Sequence, residues 1–201
     1  MRNPIDRLTH RLPRSWRIAI DWVVTIVGAV AIVLAIKAWV VNPYRIPSSS
    51  MEPTLHCAGA GLGCTAQFSD RVLANRFIYH FVEPKRGDIV VFETPQAARR
   101  NCGAGGTFVK RIVGLPGEVW ELRAGYVYID GVRLRESYIT KDRRNGESNP
   151  PYRIPKDEYY VMGDNRPNSS DSRFWGPVKG DRIVGKAWLL YYPFSEFGLA
   201  P

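Results

Sequence analysis

Two side chains in this sequence have the type and setting of a nucleophile and its base. The first is a hydroxyl within Pro47-Ser48-Ser49-Ser50-Met51-Glu52-Pro53-Thr54-Leu55, where three serines lie between two prolines. Each proline fixes its own φ and removes a backbone donor, and each biases the residue before it towards extended geometry. A hydroxyl on so stiff a segment points in a fixed direction, as a nucleophile must. The same composition would also suit a Ser/Pro-rich linker between an anchor and a domain. The second is Lys110, within Thr107-Phe108-Val109-Lys110-Arg111-Ile112-Val113. Strand alternation sends Phe108 and Lys110 to one face and Val109 and Arg111 to the other. An ammonium against an apolar wall loses hydration, its pKa falls, and the neutral amine can take a hydroxyl proton. Histidine is the commoner base. His10 precedes the apolar run described below, and His80 lies in an aromatic stretch that reads as packing. His56 is close to Ser50 in sequence, so a Ser-His-Asp arrangement stays open on inventory alone.

The elements around these residues fall into two parts. Residues 1–17 are basic, with Arg2, Arg7, Arg11, Arg14 and Arg17 opposed only by Asp6. An apolar run over 18–41 follows, interrupted by Asp21 and Lys37. About 20 mostly apolar residues cross a bilayer. Trp22 and Trp39 stand where interfacial aromatics belong, and Lys37 can snorkel to head groups. The run is apolar on all sides, unlike a core helix. Its only small-x-small triplet, Ala29-Val30-Ala31, lies inside the run, where a signal-peptide cleavage site does not. An uncleaved anchor is expected, with the preceding arginines keeping the N-terminus cytoplasmic and 42–201 extracytoplasmic.

Beyond the anchor the pattern is that of strands: 70–75, 76–82, 88–93, 107–113, 158–162 and 183–192. A hairpin is expected over 126–134, with Asp130-Gly131 at its turn. Residues 94–106, 140–155 and 163–180 read as loops. The expected fold class is mainly β, an antiparallel β-sheet domain preceded by one N-terminal transmembrane helix.

The net charge of +9 points first to nucleic acid or a membrane surface. Part of it is the N-terminal topology signal. The rest is scattered without a nucleic-acid-binding motif, so no nucleic-acid partner is expected. Cys57, Cys64 and Cys102 permit three pairings, among which Cys57 and Cys64 could close a small loop. Their spacing fits no zinc pattern, and no metal is expected.

Four segments together closely resemble the bacterial type I signal peptidases. They are Pro47–Leu55, Gly87-Asp-Ile-Val-Val-Phe92, Lys110-Arg-Ile-Val-Gly-Leu-Pro-Gly117, and Met162-Gly-Asp-Asn-Arg166 with Asn168-Ser-Ser-Asp-Ser-Arg173. Their order matches, and the anchor precedes the first.

The resemblance implies a Ser-Lys dyad serine endopeptidase without cofactor. Ser50 matches the nucleophile and Lys110 the general base. Ser48 matches the serine that joins the Ser50 N–H in the oxyanion hole, and Ser169 the serine that orients the lysine amine. Asp171 with Arg173, and Asp164 with Arg111, match supporting ion pairs. Tyr44, Ile46, Pro47, Met51, Leu55, Phe108 and Val109 match the walls of two shallow pockets that admit alanine-sized side chains. The implied substrates are signal peptides of secretory preproteins, cut after a small-x-small (Ala-x-Ala) site at the cytoplasmic membrane. The lipid bilayer is the other partner. The family's second β subdomain falls on 118–158 and is expected to be small. Ser49 stands where glycine is commoner, which requires a turn without positive φ. Trp175, Tyr191, Tyr192 and Phe194 could form an apolar rim, although core packing suits the last three better. The alternatives are a catalytically inactive, membrane-anchored peptide-binding paralogue and a self-cleaving repressor-type protease. The first normally lacks the nucleophile or base; the second carries a DNA-binding domain where this chain has an apolar run.

Overall fold

The computed structural model describes residues 13–39, 41–59, 63–102 and 105–200. The N-terminal arginines up to Arg11, His10, and the side chains of Trp39 and Cys102 lie outside what is described. The chain divides into two units, Met1–Val41 and Asn42–Pro201.

Among the described residues of the first unit, helix α1 (Arg14–Trp39) begins four residues ahead of the expected start at 18, just after Pro13. Proline is tolerated at a helix start because its missing N–H would be unpartnered there anyway. Residues Arg14–Ala35 are long and apolar enough to cross a membrane, with no part of that stretch buried. At 1.5 Å per residue these 22 residues extend about 33 Å, close to the thickness of a bilayer's hydrocarbon core.

The second unit is mainly antiparallel β. Its strands are β1 (Val41–Arg45), β2 (Arg71–Asn75), β3 (Ile89–Glu93), β4 (Thr107–Gly114), β5 (Val119–Arg123), β6 (Tyr126–Ile129), β7 (Val132–Arg133), β8 (Asn149–Arg153), β9 (Glu158–Met162), β10 (Val178–Lys179), β11 (Ile183–Tyr192) and β12 (Gly198–Leu199). The larger sheet runs β1-β2-β11-β3-β4-β9-β10, with β12 beside β11, and the smaller runs β7-β6-β5-β8. β3 explains why one stretch is apolar without alternation. Ile89 packs with Ile46, Met51 and Leu190, whereas Val90 and Phe92 pack with Ile112, Val161 and Trp175. A central strand covered on both faces needs apolar residues at every position. A third cluster, around Trp120, Leu122 and Ile154, joins the small sheet to Val113, Tyr160 and Met162 of β4 and β9.

Several local expectations are corrected. Residues 76–82 are not a strand. The Asn75 side chain accepts the N–H groups of Phe77 and Ile78, and the chain coils into a 3-10 turn at Ile78–His80. Residues 94–106 contain α2 (Gln96–Cys102), which follows Pro95 and buries Ala98. Its Gln-Ala-Ala-Arg-Arg run is rich in good helix formers. Residues 140–155 contain β8 despite Pro150 and Pro151, because β8 is the edge of its sheet and an edge strand can spare donors. Residues 163–180 contain α3 (Ser172–Trp175), capped by Asp171, and the edge strand β10. At the β6–β7 turn Asp130 and Gly131 both take positive φ, as a two-residue hairpin of this hand requires. Cys57 is joined to Cys64.

Candidate active site

Two elements bring the serine and the lysine together. Ser49–Met51 form a 3-10 turn, with Ser49 and Ser50 buried and neither at positive φ. Lys110 sits in β4 opposite Val90 of β3. Its Nζ donates to Ser50 Oγ at 2.7 Å and to the Val109 carbonyl at 3.1 Å. The residue is only 4% exposed, and the Phe108 ring lies 5.4 Å from the amine. Burial lowers the Lys110 pKa from 10.5 to about 8; Asp171 and Asp164 oppose that effect without cancelling it. Ser48 is exposed, its Oγ 3.3 Å from Ser50 Oγ. Among the described residues neither histidine hydrogen-bonds Ser50. His56 Nδ1 lies 2.6 Å from Glu52 Oε2, and His80 packs edge-on against Phe77.

Arg111 with Asp164, and Arg173 with Asp171, form ion pairs. Arg111 donates to both oxygens of Asp164, at 3.0 and 2.8 Å, and Arg173 donates to Asp171 at 2.8 Å. Asp171 also accepts the Gly163 N–H at 3.0 Å. Ser169 is placed differently from expectation. It is buried, yet its hydroxyl has no hydrogen-bond partner among the described residues, and the lysine bonds Ser50 and a backbone carbonyl instead. Ser169 packs against Gly163, where an added Cβ would stand 2.2 Å from its Oγ.

A cleft of about 470 Å³ opens beside the serine and the lysine. Six of the seven expected wall residues line it: Tyr44, Ile46, Pro47, Met51, Phe108 and Val109. Leu55 does not. Its N–H bonds the Met51 carbonyl, and this turn tucks the side chain beneath Met51 into the core, fully buried. Trp175 is likewise no rim residue: it is buried against Phe92. Phe194, by contrast, is 82% exposed, and Tyr192 is half-buried between Phe68 and Phe194.

Five further residues belong to the site's framework. Gly163 admits no side chain, because a Cβ there would lie 2.4 Å from the Ser50 carbonyl oxygen. Asn165 is 1% exposed; its backbone N–H bonds the Ser50 carbonyl and its Nδ2 bonds the Ser49 carbonyl. Glu136, in the segment after β7, pairs with the buried Arg166 and with Arg144. Beside it, Tyr138 lies under the Arg111 guanidinium at 4.1 Å. Glu52 is wholly buried. Burial would raise its carboxyl, but bonds from Cys57, His56 and Thr65 outweigh this and hold it below its ordinary value. Gly163 and Asn165 stand inside a motif already quoted. Glu52 also stands inside a quoted motif, whereas Glu136 carries no local signal, because only tertiary pairing makes it central. Among the described residues no group of three or more His, Cys, Asp or Glu side chains could hold a metal ion.

The model of the family described as "Signal peptidase, peptidase S26" matches residues 19–192. The chain belongs to the signal peptidase family, peptidase S26. As a member it is a serine endopeptidase. Among its S26 relatives, "Probable signal peptidase I-2" of Synechocystis sp. is 38% identical over 175 residues, covering 87% of this chain and 74% of that one. "Signal peptidase I" of Leptolyngbya laminosa is 36% identical over 189 residues, covering 92% and 86%. "Signal peptidase I T" of Bacillus subtilis is 34% identical over 186 residues, covering 88% and 87%. A crystal structure of a signal peptidase I from Enterococcus faecalis matches with a TM-score of 0.43 and 34% identity, over 52% of this chain and 97% of that one.

Proposed function

We propose that this S26 peptidase removes signal peptides from secretory preproteins after an Ala-x-Ala site, with Ser50 as nucleophile and Lys110 as general base. The observation that carries this reading is the 2.7 Å contact between Lys110 Nζ and Ser50 Oγ, with an amine dry enough to be neutral near pH 8. A substrate strand in the cleft presents its scissile carbonyl to Ser50. As Oγ bonds the carbonyl carbon, its proton passes to Lys110 Nζ, and the carbonyl π electrons move onto oxygen. The Ser50 N–H and the Ser48 hydroxyl stabilise that oxyanion. Collapse breaks the C–N bond, and the leaving amine takes the proton from Lys110. Water then adds to the Ser50 ester, again giving its proton to Lys110. Collapse releases the new carboxyl end and returns the proton to Ser50 Oγ.

The cleft walls account for the small side chains. Ile46, Met51 and Val109 also pack into the core, so the pockets they bound are shallow and cannot deepen cheaply. We assign residues 1–17 to a cytoplasmic tail, 18–41 to a single-pass anchor in the cytoplasmic membrane, and 42–201 to an extracytoplasmic catalytic domain with 118–158 as its small β subdomain. The length and apolar character of α1 support the anchor.

The test uses the full chain in detergent micelles with a peptide carrying one Ala-x-Ala site. The expected product ends after the second alanine. The rate should rise through about pH 8, as Lys110 loses its proton. Substantial cleavage by Ser50→Ala would overturn the assignment.

A further inference from the structure

The oxyanion hole in the reading above uses a backbone N–H, and a backbone N–H points only where its peptide plane lets it. The Ser50 N–H and the Ser49 carbonyl belong to one peptide group. That peptide is trans, since the cis bonds among the described residues are at Glu52-Pro53 and Tyr192-Pro193. In a trans peptide the C=O and N–H point in opposite directions. Whatever pulls the Ser49 oxygen one way therefore aims the Ser50 N–H the other way.

Two donors are seen on that oxygen among the described residues. One is the Glu52 N–H at 3.1 Å, which closes the 3-10 turn. The other is Asn165 Nδ2 at 2.9 Å, from a side chain 116 residues away in sequence. The Asn165 backbone N–H also bonds the Ser50 carbonyl at 3.1 Å. One residue thus grips the two peptide groups that flank the Ser50 Cα. The orientation of the amide is not ambiguous, because turning it over would set Oδ1 against the Ser49 oxygen.

A second observation separates this from ordinary packing. Asn165 is 1% exposed, and its Oδ1 is buried with no hydrogen-bond partner among the described residues. Leaving a buried acceptor unpartnered costs stability, and an apolar side chain of the same shape would avoid that cost. An amide kept in spite of it points to a task for its NH2 group. The NH2 group's recorded bond is to the Ser49 carbonyl.

We infer that Asn165 is a positioning residue for the oxyanion hole: its amide fixes the Ser49–Ser50 peptide plane so that the Ser50 N–H faces the substrate carbonyl. This rests on the assignment of Ser50 as nucleophile. Asn165 touches neither substrate nor Lys110 in this role. Its loss acts on the transition state, where charge develops on the oxygen, and leaves ground-state binding and the titration of the base alone.

The test is Asn165→Leu in the full chain in detergent micelles; leucine keeps the shape and removes the donor. Steady-state kinetics on the Ala-x-Ala peptide should show kcat down by about 100-fold, the loss found when an oxyanion donor is removed. KM should stay within about threefold, and the apparent pKa of the rate near that of the wild type, because neither depends on the aimed N–H. A peptide aldehyde, which forms a tetrahedral adduct with serine, should bind more weakly by about the factor lost in kcat/KM, while the amino-terminal product peptide binds as before. Should Asn165→Leu fail to fold, Asn165→Ser, too short to reach the Ser49 oxygen, is read by the same criteria. The inference falls if kcat stays within about threefold of wild type, or if aldehyde and product peptide weaken together. Ser50→Ala separates the two levels. Turnover by Ser50→Ala removes the nucleophile assignment itself. An inactive Ser50→Ala alongside an unimpaired Asn165→Leu removes only the role of Asn165.

Discussion

Replacing Lys110 by methionine should abolish turnover and, at neutral pH, make the protein more stable. Burial brings the lysine from 10.5 to about 8, so the folded chain disfavours its charged form. At pH 7 about a tenth of the folded molecules carry a neutral amine, against roughly three in ten thousand for an unburied lysine. The same displacement costs the fold about 3 kcal/mol at pH 7. Between pH 8 and about 10.5 the unfolded chain still holds a proton that the folded chain has released, so wild-type stability rises with pH across this window and the cost disappears above it. Methionine fills a similar volume and carries no charge to desolvate. It gives up the bond to Ser50 Oγ, about 1 kcal/mol. The net gain is roughly 2 kcal/mol at pH 7, falling to near zero by about pH 10. In thermal unfolding of the full chain in micelles, the gain appears as a rise of about 4–8 °C at pH 7. A Lys110→Met protein less stable than wild type at pH 7 would refute the argument. So would a stability difference that is constant from pH 7 to 10, since a lysine already solvated has no burial cost to relieve.

Gly163→Ala should lower both stability and kcat, because its Cβ would fall 2.2 Å from Ser169 Oγ and 2.4 Å from the Ser50 carbonyl. Overpacking of this kind costs about 1–3 kcal/mol, read by denaturant melts. Gly146→Ala, with nothing within 4 Å, is the matched control and should be near neutral. Glu136→Ala should cost about 3–5 kcal/mol in the same melts, since it strands the buried Arg166 guanidinium; Glu136→Gln, which keeps an acceptor, should recover part of that loss. Val109→Ala should widen the cleft beside Ser50. The kcat/KM for a peptide with valine in place of the last alanine should then rise relative to the Ala-x-Ala peptide by about tenfold, the worth of a methylene or two in an apolar pocket. An unchanged ratio would take Val109 out of the pocket wall.

The sequence by itself determined those features that rest on local chemistry. Twenty or so apolar residues can make a helix that suits a bilayer whatever follows them. Alternating and continuous apolar runs marked β2, β3, β4, β9 and β11, and the Asp130-Gly131 pair marked the hairpin. The four motifs, read in order, named the serine and the lysine before either had a neighbour. What the sequence could not decide were matters of pairing across long separations. Nothing near residue 110 indicates that its amine meets the hydroxyl of residue 50; the register of β4 on β3 and the fold-back of the 3-10 turn bring them together. Leu55 and Met51 look alike as apolar neighbours and both join the same core, and only the turn between them lets Met51 reach the cleft wall as well. Pro150 and Pro151 read as loop because a sequence does not say which strand will be an edge. Asn165 and Glu136 are ordinary polar residues in the chain and central ones in the fold. A hydrogen bond or an ion pair takes its meaning from its partner, and the partner is chosen by tertiary packing.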